Sequence, residues 1–432
     1  VPGRRRAGDP AEARCRVTSV WRSTLRRAVV VLAAVAASGC AGPVVGVESS
    51  GGPAGLTTGT GVGSAPAPEE VAAVVQRRAR ALVSTDPSAR EAAWAESGGT
   101  SAVLHRMLDL GVTELTLRAS HAVAEAAGST PSAPRWLVRV TLGYRLVALG
   151  DGPREAVVDW VLARSSSGWV VADEKGVEGG PPWAVDGSVV RSAPGQVVVS
   201  GLDAAATDAV VADLSAARHT VGAAFGAPPQ VLLVAPASLP ELGALTGTAS
   251  GASADVGALT VGPDDSAGER VGVTVYLVPP RASGLTPAGR RAVITHEVAH
   301  VALRAEATGR LPVWLEEGLA QELSYADIGI PLRTLADPLV RWLGSHPMPT
   351  ALPSAAALDP GAADVQAAYL MSWRATRVLV SRRDLAAVVA LARGCAAEGD
   401  AEVDCAPQLQ AGFGLTLAEL VRAWQGDLSV LR

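Results

Sequence analysis

Lysine is almost missing from this chain. Lys175 is the only one among 432 residues, and arginine carries nearly all the positive charge. With so much alanine, glycine and valine, this looks like a GC-rich bacterial gene, a matter of codon usage and not of fold. Basic residues number 37 against 42 acidic ones, for a net charge of −5. There is no basic run beyond the N-terminus and no interleaving of aromatic with basic residues, so nucleic acid is not an expected partner. Cysteine is scarce, at four. The spacing of Cys395 and Cys405 is wrong for a zinc knuckle, and no histidine lies near them. The apolar run at residues 28–37 is too short to stay in a bilayer as a spanning helix. No wall-binding repeat is present. Histidine is rare too, with six in the chain, so a spaced pair of them carries information.

Residues 1–40 have the form of an export leader. Arg22, Arg26 and Arg27 precede the apolar run, which then meets Ser38-Gly39-Cys40. Translation from Val1 implies a GTG start, and Val17 or Val20 are alternatives. The ending Ala37-Ser38-Gly39-Cys40 resembles a bacterial lipobox. That resemblance implies that Cys40 becomes the lipidated first residue of the mature chain. An ordinary cleaved signal, cut after Ala41, is the other reading. The first places the protein at the cell membrane, facing outward through a lipid anchor, and the second makes it secreted. In either oxidising compartment Cys395 and Cys405 are expected to pair as a local disulfide. Closing so short a loop contributes about 2–3 kcal/mol.

A chain of 432 residues is too long for one ordinary core and implies two domains with extensions. Residues 41–67 are rich in Gly, Ser, Thr, Ala and Pro and have no apolar period, as in a flexible tether. Residues 68–180 begin with a helical pattern in which Val71, Val74, Val75 and Leu82 share a face. Strand patterns follow. Trp136, Val138, Val140, Leu142, Tyr144 and Leu146 alternate with polar residues, then Ala156, Val158, Trp160 and Leu162 do the same. Trp169-Val170-Val171-Ala172 closes the meander. A helix followed by a curved antiparallel sheet resembles the NTF2-like cone fold. His105 and His121 lie here and are expected to be core or surface residues. Residues 181–195 form a Pro/Gly-containing joint, and residues 196–432 a second, mainly helical domain with a small sheet. The chain is thus α+β. In the second domain a strand at 197–199, a helix at 203–225 and a short strand at 231–234 come first. The small, polar stretch 246–267 is expected to be a surface loop. Val271, Val273, Val275 and Leu277 alternate as another strand, expected to be the sheet edge on which an extended peptide pairs.

The chemistry is in His296-Glu297-Val298-Ala299-His300. At about 3.6 residues per turn, residues four apart on a helix face the same way. Two imidazoles can then hold one Zn2+ while the glutamate between them faces the same cleft as a general base. Thr286-Pro287 is a good start for that helix, a hydroxyl N-cap with proline at the first position. Ala292, Val293, Ala299 and Leu303 are available to pack it.

Downstream lies Leu311-Pro312-Val313-Trp314-Leu315-Glu316-Glu317-Gly318-Leu319-Ala320. Here the chain resembles the gluzincin metallopeptidases, whose second helix supplies a glutamate ligand within a Trp-Leu-x-Glu-Gly-x-Ala-like stretch. The resemblance covers residues 196–430 and implies a zincin-like domain holding one catalytic Zn2+. By position the third ligand is Glu317, with Glu316 as its rival. It also implies that Glu297 moves the proton of the attacking water to the leaving amine, and that a tyrosine or histidine donates to the oxyanion. Tyr369 is the candidate for that donor, against a plain buried helical tyrosine; Tyr325 and His346 are alternatives. The Gly-x-Met-Glu-Asn element that grips a free amino end in aminopeptidases is absent. The expectation is therefore a zinc endopeptidase acting on peptide or protein substrates. The alternatives are a surface binding lipoprotein that keeps the peptidase fold with little or no turnover, and a zinc hydrolase of cell-wall cross-links.

Overall fold

Pro68 and Pro87 each open a helix, as their fixed φ and missing N–H allow. The computed structural model describes Ala34–Ala36 and residues 64–432, apart from 131, 151, 177–179, 186, 247–256, 263–271, 280, 307–310, 327, 360 and 396–404. Cys15, Cys40, the tether and all of the leader but Ala34–Ala36 therefore lie outside the described residues. Helix α1 is Pro68–Val83 and carries Glu69 and Glu70 in its first turn, where the helix dipole favours them. Helix α2 is Pro87–Glu96, capped by the Asp86 carboxylate, which accepts from the Ser88 and Ala89 amides. Helix α3 is Ser101–Asp109.

An antiparallel meander follows: β2 (Val112–Glu125), β3 (Arg135–Leu146), β4 (Arg154–Ser165) and β5 (Gly168–Gly176), paired in that order. The last three are the strands the sequence predicts, β3 and β4 by their alternation. Strand β2 was not legible, because Val112 and Leu115 are its only buried residues and it has no period of two. Val71, Val74, Val75 and Leu82 of α1 are buried against Val138, Val140, Val158 and Trp160 of the sheet.

The second sheet is mixed, in the order β1-β9-β10-β8-β7-β6. Its strands are β1 (Ala34–Ala36), β6 (Val189–Ala193), β7 (Gln196–Ser200), β8 (Val231–Ala235), β9 (Ala258–Val261) and β10 (Thr274–Leu277). Strands β7, β8 and β10 run parallel, while β6 pairs antiparallel with β7 and β9 antiparallel with β10. Helix α4 (Ala204–Phe225), capped by Asp203, crosses from β7 to β8. Helix α5 (Leu239–Thr246) follows β8.

Three expectations change here. The strand at 271–277 shortens to β10 and is central, paired with both β8 and β9, so it cannot accept a peptide at an edge. The stretch 246–267, read as loop, contains β9; four residues are too few to show a period. Residues 181–195 do not merely join two domains, because 189–193 form β6 and pair with β7. Ala34–Ala36, inside the expected leader, pairs in parallel with β9.

Side chains of this sheet alternate between two cores, as a pleat requires. Val198, Leu233, Val275 and Ala258 face the helices. Val197, Val199, Leu232, Val234, Leu259 and Tyr276 face the N-terminal region and share its core. Each fully buried Val or Leu contributes about 1.5–3 kcal/mol, so the N-terminal region is packed onto the sheet rather than strung from it.

The helical layer holds α6 (Pro287–Glu306), α7 (Val313–Ser324), α8 (Leu332–Ser345), α9 (Val365–Arg382), α10 (Leu385–Cys395), α11 (Ala406–Phe413) and α12 (Leu417–Ser429). Cys395, the last residue of α10, is disulfide-bonded to Cys405 just before α11. That bond is consistent with an extracytoplasmic protein. None of the described helices is long and apolar enough to cross a membrane.

Candidate metal centre

Helix α6 begins as its sequence predicts. The Thr286 hydroxyl accepts from the Gly289 amide at 3.1 Å. The helix is buried without a break from Ala292 to Leu303. His296, Glu297 and His300 are therefore taken out of water along with their apolar neighbours, at 2%, 0% and 0% exposure. Helix α7 packs across α6. The glycine after Glu317 has a plain reason: a Cβ at Gly318 would collide with the Ser372 carbonyl and the Thr376 hydroxyl of α9. That close approach of α7 and α9 puts Tyr369 next to the histidines, its ring 6.3 Å from that of His296.

Three buried donors converge. His296 Nε2 and His300 Nε2 lie 3.1 Å apart. Glu317 Oε2 is 3.2 Å from the first and 3.5 Å from the second. Ligands about 2.0–2.1 Å from a tetrahedral zinc stand about 3.3 Å from one another, so these separations match one tetrahedral ion. The polar satisfaction of the site points the same way. Glu317 Oε2 and Glu297 Oε1 are buried and complete no hydrogen bond. Proximity to the two rings gives Glu317 Oε2 attraction without a formed bond. Among the described residues, His296, His300 and Glu317 are the one group of three placed to hold a metal ion.

Charges at the site shift accordingly. Burial raises the Glu297 carboxyl above the usual carboxylate range, although the two histidines and the Thr260 hydroxyl oppose this. Burial also disfavours a charged His300 ring, but the Glu317 and Glu316 carboxylates outweigh it and push the ring up to about 10. Glu317 is opposed by its own burial yet held down at about 2 by His300 and His296. The Tyr369 phenol is raised, first by burial and then by Glu317, Glu297 and Glu316, so it stays neutral and can donate.

The other sequence candidates separate clearly. Glu316 Oε1 is at His300 Nδ1, at 3.0 Å, on the far side of the ring from Glu317. Tyr325 packs edge-on against Trp373, with ring centroids 4.9 Å apart, and its hydroxyl is buried without a partner. His346 stacks on Trp342 near the surface and hydrogen-bonds Ser345. His105 is exposed and pairs with Glu91.

Sequence reading missed one residue of the site. Thr260 of β9 donates from Oγ1 to Glu297 Oε2 at 2.5 Å, and its carbonyl accepts from Arg304 Nη1 at 3.1 Å. The only signal in the sequence is the short run Ala258-Leu259-Thr260-Val261 in a small-residue stretch. No known family model matches this chain, and no curated protein or solved structure is significantly similar to it. The site itself therefore suggests the class: a buried His-x3-His pair with a downstream glutamate in an α+β fold is a candidate metal centre of the kind found in zinc hydrolases.

Proposed function

We propose that this protein is a zinc-dependent endopeptidase of the gluzincin type, held on the outer face of the cell membrane by a lipid at Cys40, in a mature form from which β1 (Ala34–Ala36) has been removed. The observation that carries the catalytic part is the convergence of His296, His300 and Glu317 within 4.8 Å, beside a buried carboxyl with an unpaired oxygen. Zinc held by those three residues would polarise a water molecule and the scissile carbonyl. Glu297 accepts the proton of that water and delivers it to the leaving amine; its raised pKa brings it nearer the working pH of a general base. Tyr369, neutral and beside His296, donates to the oxygen on which negative charge develops. Thr260 fixes one oxygen of Glu297 and leaves the other for the water.

A pure binding role would leave Glu297 without a task. A buried carboxyl with an unpaired oxygen destabilises a scaffold, and a scaffold would gain from an apolar residue there. The anchor and the outward location rest on the lipobox-like sequence. Absence of the Gly-x-Met-Glu-Asn element supports cleavage within a chain over cleavage at its amino end.

The test is hydrolysis of an unstructured protein by the purified chain and by Glu297→Gln. The wild type is expected to cut it, and the variant to keep its zinc but lose cleavage. A wild type that holds zinc and cuts nothing in a broad peptide library would favour the binding role.

A further inference from the structure

The sequence leaves two adjacent carboxylates competing for one ligand position, and the structure gives each a different partner. Adjacent helical residues diverge by about 100° around the axis, so Glu316 and Glu317 reach opposite sides of His300. Glu317 Oε2 lies at Nε2, at 3.5 Å, and Glu316 Oε1 at Nδ1, at 3.0 Å. The Nε2 side is also where His296 lies.

We propose that Glu316 is a positioning residue for the metal: it accepts a hydrogen bond from His300 Nδ1–H and so turns the Nε2 lone pair toward the point shared with His296 and Glu317. The proposal rests on the metal-site reading above. An imidazole has two nitrogens and one N–H when neutral. With the proton fixed on Nδ1 by Glu316, Nε2 is the free donor, and the ring cannot rotate away without breaking the bond. Glu316 is itself held. Arg304 Nε approaches the same oxygen at 3.9 Å, while Arg304 Nη1 donates to the Thr260 carbonyl. The brace thus runs from β9 through Arg304 and Glu316 to His300, and Thr260 holds Glu297 at its other end. His296 has no such brace, since its buried Nδ1 has no partner. Of the two histidines, His300 is therefore the braced one.

The experiment is competition between a chelator and the full chain for Zn2+ alone, with wild type, Glu316→Ala, Glu316→Gln and Glu317→Ala. Losing an outer partner of a metal-bound histidine weakens metal binding about 10–100-fold. Glu316→Ala is expected to show that loss. Glu316→Gln, whose amide oxygen still accepts from Nδ1, should stay within a few-fold of wild type. Glu317→Ala should bind far more weakly than either. Thermal unfolding of the metal-free variants checks that they fold, and Glu316→Leu replaces Glu316→Ala if the smaller side chain does not. Unchanged affinity in Glu316→Ala overturns the proposal and leaves the metal site standing. So does a reversal in which Glu316→Ala abolishes binding and Glu317→Ala does not. A wild type that takes up no zinc overturns this proposal and the metal site together.

Discussion

Among the described residues, two buried clusters of charge, one in each core, differ in how fully they are paired. In the N-terminal core the Arg78 guanidinium lies between the Trp94 and Trp160 rings, 4.7 and 4.8 Å from their centroids. It donates to Ser97 Oγ at 3.2 Å and pairs with Glu174. Arg78 leaves no buried nitrogen without a partner. Around α6 the burial is as deep, yet Glu297 Oε1, Glu317 Oε2 and His296 Nδ1 have no hydrogen-bond partner. Buried polar groups are normally satisfied, so those that are not call for a reason. Arg78 ties a helix to a sheet. In the second cluster a bound ion with its water would satisfy Glu317 Oε2 and Glu297 Oε1, while His296 Nδ1 lies on the other side of its ring from the shared point. Depth of burial does not tell these two clusters apart; how fully their charged groups are paired does.

The sharpest way to break this contrast is to neutralise one member of each cluster. Glu297→Gln should lower hydrolysis by about 10²–10⁴-fold, the range of a general acid–base contribution. The metal-free protein should unfold at the same or higher urea concentration, because a carboxyl that burial disfavours has gone. Arg78→Ala should do the opposite. Breaking a buried ion pair and leaving Glu174 behind destabilises by about 3–5 kcal/mol, read as a lower urea midpoint, while the folded fraction binds zinc as before. Equal loss of stability in both variants would erase the distinction.

Proton competition gives a further effect. His300 must be neutral to bind a metal, whereas its carboxylate neighbours outweigh burial and raise it to about 10. Zinc affinity should therefore keep rising as pH climbs from 6.5, the ordinary histidine value, toward about 10. In the metal-free chain the sign reverses. The raised pKa contributes stability that is fully present below 6.5 and is lost as pH rises through about 10. Chelator competition and urea unfolding across that range read the two trends. The smallest effect belongs to Thr260. Thr260→Val should lower kcat by about ten-fold, or about 1.4 kcal/mol in the barrier, with zinc affinity unchanged, and Thr260→Ser should recover most of it. An equal deficit in the serine variant would mean that the hydroxyl is not what matters.

Legibility in the sequence follows the same physical lines. His296, Glu297 and His300 were readable because helical period alone puts them on one face. Glu317 was reachable through its position beside the glycine and tryptophan, but the separate partner of its rival Glu316 was not. Which of two adjacent carboxylates meets which nitrogen depends on how α7 crosses α6. Tyr369 lies at the site because Gly318 lets α9 approach α7, a tertiary fact with no local pattern. Strands β3 and β4 declared themselves by alternation. Strand β9 is too short to alternate and β2 too exposed, so Thr260 was missed and the wrong strand was expected at the edge. The alternation of Val197, Val198 and Val199 between two cores is likewise invisible, since a strand buried on both faces is apolar throughout.

Calorimetric titration of the metal-free chain with Zn2+ tests the central claim most directly. One ion should bind per chain, with proton release, and that binding should be lost in Glu317→Ala. A folded wild type that binds no zinc, or a Glu317→Ala variant that binds it as wild type does, would contradict it.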